Sequence, residues 1–390
     1  MIAIIGAGIS GLAAARELQR LKVDFQVFEA TNKVGGRVKT DYEGGFQFDH
    51  GFQILLPAYP LLKKFIDLDE LHLRGFSAGA RIVEKHGHTS IGDPLRNPTK
   101  AISTLMSNIG NFKDKLLILK LVLESQKYSY DKVTSDTSTK EYFKNFGFSE
   151  DFRAKFLHPF FEGIFLEKQL KSPSSYMLFL FKMFSKCLAS LPQKGIGHVS
   201  DLMAMPVQEH IQFHKKVERI EGTTLHFEDG QSQNFDKIIL ATEGPEAMRL
   251  LGRSESVPSR KETSFYFRYP KEQKFSKEIH LNGMGSGLVS NVAFLSEVQP
   301  SYAKKDELVI VNVVGQLTDD VDSVKSELKG WFADKVEEWT YLKHYHIRHA
   351  QPDTYPYELS TENVQVIGDF TQTPSLQGCL YSGIQAVNQL

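Results

Sequence analysis

Cysteine is almost absent from this chain: Cys187 and Cys379 are the only two among its 390 residues. Two thiols so far apart, with no metal-ligand spacing, exclude a disulfide framework and a thiolate metal centre and suit a reducing cytoplasm. Charge of one sign is lacking too. The 46 basic and 47 acidic residues leave a net charge of −1, so the electrostatic footprint of a nucleic-acid binder is missing. Long apolar runs are missing as well; the best candidate, residues 176–184, is short and broken by Lys182. The apolar start carries no basic leader. There is no internal repeat and no low-complexity segment, and the thirteen histidines form no pattern, so no metal is expected. What remains is an ordinary globular composition, 41% apolar and 24% charged, long enough for two cores.

The informative part comes first. Ile2 to Ile5 form an apolar, β-branched run leading straight into Gly6-x-Gly8-x-x-Gly11, with Ile9 and Ser10 inside the motif. A helical pattern follows through Leu12, Ala13, Ala14, Ala15, Arg16, Glu17 and Leu18, then a strand-like run over 23–28 that ends on Glu29 and Ala30. Strand, glycine turn, helix, strand and acid is the context in which this motif means a dinucleotide. Gly6 permits the turn, Gly8 lets a pyrophosphate approach the backbone, and Gly11 lets the helix pack on the sheet. The helix N-terminus offers free N–H groups to the phosphates. Glu29 is placed to accept from a ribose 2′-hydroxyl and to repel a 2′-phosphate.

Beyond the acid, Gly35-Gly36-Arg37 allows close passage of a bulky cofactor and supplies a cation for a phosphate or a flavin edge. With this extension the chain resembles the flavin-containing amine oxidase and phytoene desaturase superfamily. The resemblance implies FAD as cofactor. It also implies a discontinuous α/β, Rossmann-like FAD-binding domain of the glutathione-reductase type, with an inserted α+β substrate domain. Residues 1–70, 190–255 and 352–390 are assigned to the first, and 71–189 and 256–351 to the second. Strands are expected at 215–220, 225–227 and 237–242, with the backbone of Val217 against adenine by resemblance. Near the C-terminus, a buried strand from Val364 ends in Gly368-Asp369. In the family such a pair meets the ribityl and pyrophosphate portion, and the last helix, on which Gln377 lies, faces the flavin pyrimidine ring with its N-terminal dipole. Asp369 could equally cap the next segment.

Within that superfamily three stretches point toward plant-type phytoene and ζ-carotene desaturases. Phe46 to Pro60 matches them in its Gly51 and in Ala58-Tyr59-Pro60, with Gln53 where they carry histidine. Gly368-Asp369-Phe370-Thr371 resembles their Gly-Asp-Trp-Thr. Pro159 to Phe165, followed by Leu191 to Gly197, fits the general desaturase and protoporphyrinogen oxidase pattern. Amine oxidases sandwich their amine between two aromatic rings, and Ser375 stands where one of those rings is expected.

The first insertion reads as mainly helical, with a lysine-flanked amphipathic stretch at 113–127 and an aromatic-rich stretch at 156–191. Gln53, Phe160, Phe161 and Phe165 are candidates for an apolar substrate pocket, although each phenylalanine taken alone fits a core position. The second insertion should contain strands at 263–269 and 308–316 and a helix over 324–336. The expected activity is desaturation of an apolar, polyisoprenoid-like substrate by hydride transfer to flavin N5, with oxygen or a quinone as final acceptor. The alternatives are an amine or protoporphyrinogen oxidase and a redox-neutral flavin isomerase. No catalytic base declares itself; His50, His158 and His198 qualify only by type and neighbourhood. The expected location is the cytoplasm, with peripheral contact to a membrane.

Overall fold

The computed structural model describes residues 1–92, 109–134 and 137–390. Two sheets organise it. The first is parallel and five-stranded, in the spatial order Val364–Val366, Lys237–Leu240, Ile2–Ile5, Phe25–Phe28, Ile211–Gln212. Its strands come from the start, middle and end of the chain. Ile2–Ile5 and Lys237–Leu240, in the middle of the sheet, are near-continuously apolar, as burial on both faces requires. The helix Ile9–Leu21 covers one face and packs against the last helix, Leu376–Asn388. An antiparallel three-stranded sheet, Val217–Glu221, Thr224–Phe227 and Ser232–Asn234, lies beyond. This is the discontinuous Rossmann-like half of an α/β fold, and the rest is the inserted α+β part.

The expected strand over 23–28 begins only at Phe25. Lys22 closes the preceding helix in the left-handed region, φ 57°, so Val23 and Asp24 are spent on the turn. The last turn of the helix expected over 324–336 is likewise lost: the helix is Val321–Phe332, and Ala333 at φ 55° breaks it into a 3₁₀ segment.

The second sheet has seven strands, in the order Thr340–Pro352, Ser259–Tyr269, Glu307–Val314, Asn291–Phe294, Ile279–Asn282, Gly79–Glu84, Gly87–Gly92. The last two were not expected in a helical first insertion. They form a hairpin that turns at Lys85 and His86, and its inner strand pairs in parallel with Ile279–Asn282. Apart from the short strand Arg74–Gly75, the regular structure in the rest of that insertion's described residues is helical, including Phe112–Ser125, Thr139–Phe146, His158–Phe165 and Ser174–Lys186. Lys182, the break in the apolar run, donates to the carbonyls of Gln126 and Tyr128 at 2.9 Å, just past the end of the neighbouring helix. No described helix is long and apolar enough to cross a membrane.

Candidate functional site

A single cavity of about 630 Å³ runs from the glycine turn to the helical insertion. One end is built by the parallel sheet. Gly6, Gly8, Ile9, Ser10, Glu29, Ala30, Gly35, Gly36, Arg37, Val217, Gly368 and Asp369 all line it. Gly11 does not. It sits beneath the turn, where a Cβ would lie 2.0 Å from the Gly6 carbonyl oxygen, which is the close helix–sheet approach its position requires. Gly8 is the opposite case: with φ −73° it needs no special backbone, and a Cβ there would meet nothing within 4 Å. The space kept open at Gly8 is a cradle for something close to the backbone, at the N-terminus of a thirteen-residue helix.

Glu29 is 8% exposed, and its carboxylate accepts from the N–H of Ala7 at 2.9 Å and from the N–H and hydroxyl of Thr31 at 2.9 and 2.8 Å. These bonds fix the acid on the cavity wall while lone pairs remain for a diol. Arg37 is more committed than its sequence suggests. Its Nη1 donates to Asp369 at 2.7 Å and to the carbonyls of His349 and Ala350 at 3.1 and 2.9 Å. The pair ties the N-terminal loop to the end of the C-terminal strand. Burial works against the Arg37 charge, but Asp369 beside it holds the guanidinium above its ordinary pKa. Asp369 therefore does not cap the last helix. Ser375 does, accepting from Gly378 N at 3.1 Å, and it also lines the cavity. Gln377 lies away from the cavity, fully buried, where its amide oxygen accepts from Leu61 N at 3.0 Å. The helix puts position 377 on its inner side and positions 375, 376 and 379 on the cavity side. Cys379 is thus a cavity residue that sequence reading passed over. Burial pushes its thiol up to about 12, which keeps it neutral and weakly nucleophilic.

The other end of the cavity is apolar. Tyr176, Leu180 and Phe184, at successive four-residue steps of one helix, face it together with Phe52, Phe160 and Ile164. Gln53 is there too, its amide tied to the carbonyls of Arg37 and His50 at 2.8 and 2.9 Å. Phe161 and Phe165 are not. Both are completely buried in the helical core, where Phe161 meets Phe143 and Phe165 meets Tyr176. Successive helix positions diverge by about 100°, and here Phe160 faces the cavity while Phe161 turns into the core. Of the three histidines, His50 alone reaches the wall; it is bonded to Asp41 at 2.9 Å and stacked on Tyr345. His158 is bonded to the Lys168 carbonyl at 2.6 Å and His198 lies 3.8 Å from Asp201, both away from the cavity.

Two polar residues on the substrate side were not foreseen. Glu262, on Ser259–Tyr269, is 6% exposed and lines the cavity against Gly51, where a Cβ would lie 2.5 Å from its Oε1. Its carboxyl has no hydrogen-bond donor among the described residues, and burial alone raises its pKa to about 7. Asn291 closes a buried chain in which Ser264 donates to Asn312 and Asn312 to Asn291, each at 2.7 Å. Its amide nitrogen points at Gly163, whose missing side chain makes the room. The only sequence signal for Glu262 was an acid at an inward position of an apolar strand.

The sequence profile of the flavin-containing amine oxidoreductases matches residues 9–390. The chain belongs to that family. Its cofactor is FAD, and the open turn at Gly8, the cavity-wall carboxylate of Glu29 and the Arg37–Asp369 pair fit that cofactor. Protoporphyrinogen oxidase 2 of Arabidopsis thaliana is 29% identical over 149 residues, 37% of this chain and 29% of that protein. A probable polyamine oxidase 4 of the same plant is 29% identical over 143 residues, 35% of this chain and 27% of that protein. The matched segment thus spans under a third of either relative. A redesigned putrescine oxidase superimposes with TM-score 0.73 at 16% identity, covering 100% of this chain and 98% of the other. These three are oxidases, so they support the family and do not specifically support its desaturase branch.

Proposed function

We propose that the enzyme removes a hydride from a C–H bond of a predominantly apolar small molecule that presents one N–H or ammonium group to Glu262. Glu262 carries this reading. A carboxyl group in an apolar wall, without a donor and titrating near neutrality, is costly to keep unless something pairs with it. A pure hydrocarbon leaves it unpaired. FAD, when bound, supplies the two-electron acceptor. Tyr176, Leu180, Phe184 and Phe160 would exclude water and orient the substrate body, and Glu262 would hold its polar end. Asn291 offers a second donor. The substrate loses a hydride and a proton and gains a double bond; oxygen or a quinone would take the electrons onward.

The cavity residues from Gly6 to Asp369 would hold the cofactor, with Gly11 and Gln377 supporting from behind the wall. Residues 1–70, 190–255 and 352–390 would act as the cofactor unit, because the strands of the parallel sheet fall in them. Desaturation of a polyisoprenoid is the second reading, favoured by the apolar wall and by Ser375 in place of an aromatic ring. Contact with a membrane belongs to either reading. Phe112, Leu116, Leu119 and Leu123 are 66%, 51%, 39% and 72% exposed along one stripe of their helix, with Lys113, Lys115 and Lys120 beside it. The test is the Michaelis constant of a lipophilic amine with wild type and Glu262→Gln. A rise of tenfold or more in the variant supports the pairing, and an unchanged constant removes it.

A further inference from the structure

The outer face of the seven-stranded sheet carries a cluster unrelated to the cavity. His344 and His346 alternate on the edge strand Thr340–Pro352, across from Phe265 and Thr263 on the next strand. Glu262, Ser264 and Tyr266 point the other way, so the sheet separates this cluster from the cavity. Asp319, in the loop before helix Val321–Phe332, places one carboxylate oxygen 2.9 Å from Nε2 of both histidines. The three ligand-type atoms lie within 4.8 Å of one another.

Contacts behind the rings hold their Nε2 atoms toward Asp319. Thr263 Oγ1, which accepts from Thr318 N at 3.1 Å and lies 3.2 Å from the Gln316 carbonyl, is 3.1 Å from His346 Nδ1. The Tyr341 hydroxyl is 2.7 Å from His344 Nδ1. With each Nδ1 engaged and the ring centroids 4.6 Å apart, both Nε2 atoms face the same Asp319 oxygen, an arrangement that one shared cation satisfies.

We propose that His344, His346 and Asp319 bind one divalent transition-metal ion of the zinc class, clipping the loop at 315–320 to the edge strand. Imidazole and carboxylate ligands suit that class, and Nδ1-held histidines are how proteins orient metal-binding rings. Three protein ligands leave one position for water. The sequence reading expected no metal; the loop brings Asp319 to the histidines from a distance in sequence that no spacing motif encodes.

The test is calorimetric titration of Zn²⁺, and separately Co²⁺, into tag-free holoprotein stripped by a chelator. We expect one site per chain, weakened at least tenfold in His346→Ala and Asp319→Asn. Thr263→Val should cost about 10- to 100-fold, because it removes the hydroxyl behind the ring and no ligand. His86→Ala, an exposed histidine elsewhere, should leave the isotherm unchanged. Flavin absorbance of each variant verifies the fold. Absence of binding by either ion, or binding that survives both His346→Ala and Asp319→Asn, overturns the site.

Discussion

At the scale of single residues, Gly8 and Glu29 make opposite demands that separate binding from folding. Nothing stands within 4 Å of a Cβ on Gly8 and its backbone is unstrained, so Gly8→Val should fold as the wild type does. The added side chain occupies the space left for a pyrophosphate. Such a variant should purify colourless with an apoprotein melting temperature close to wild type; retained yellow colour would show that the cofactor does not pass there. Glu29→Ala should weaken FAD retention by roughly 1–3 kcal/mol, the usual range for hydrogen bonds to a charged group. Equilibrium dialysis of flavin checks it, and unchanged affinity would remove Glu29 from the ribose.

Glu262 adds a pH dependence whose sign is opposite to that of an ordinary paired carboxylate. Its folded pKa, about 7, lies above the model-compound value of 4.5, so the folded state holds its proton across a window in which the unfolded state has released it. Stability contributed by this group is complete below about pH 4.5 and is lost as pH rises through about 7. Holding the ionised form there costs about 3 kcal/mol. Glu262→Gln should therefore be more stable than wild type at pH 8 and equal to it at pH 4. Denaturant midpoints at the two values measure this, and equal differences at both would show that Glu262 is not buried as an acid.

Elements were legible where two levels of pattern agreed. The run from Ile2 to Glu29 combines β-branched residues, a glycine spacing and a helical period, and each element formed within a few residues of its expected place. The hairpin Gly79–Glu84 and Gly87–Gly92 was missed because its stability comes from parallel pairing with a strand about two hundred residues away. Local propensity does not record such a partner. Phe161 and Phe165 show the same limit on a helix: composition marked an aromatic cluster, but only the angular position of each ring decides between cavity and core. Glu262 was invisible for a related reason, since its importance lies in what surrounds it.

The helix Phe112–Ser125 carries its own prediction. Replacing Leu116 and Leu123 with serine removes two exposed side chains and no buried contact, so the fold should be unaffected. Flotation with anionic liposomes should fall severalfold in the double variant. Wild-type protein that stays at the bottom of the gradient would contradict the membrane contact.

At the scale of the whole molecule, one cavity joins a polar end at the glycine turn to an apolar end with Glu262 in its wall. The discontinuous chain explains the junction. The polar end is lined by loops from near both ends of the chain, joined by Arg37 and Asp369, and the apolar end draws on the segments between them. Asp49 shows how tightly the two are joined. It lies at the end of the strand Phe46–Asp49, accepts from Thr40 and Tyr302 at 2.6 Å and from Ile196 N at 3.0 Å, and burial still raises its pKa to about 6.

The most direct measurement is anaerobic flavin bleaching at 450 nm. Wild type and Glu262→Gln would be mixed in turn with a lipophilic amine, a porphyrinogen and a hydrocarbon polyene. Bleaching of the wild type by a nitrogen-bearing substrate, slowed tenfold or more in Glu262→Gln, is the expected result. Bleaching by the hydrocarbon alone, at the same rate in both proteins, would contradict a role for Glu262 and return the enzyme to the desaturase reading.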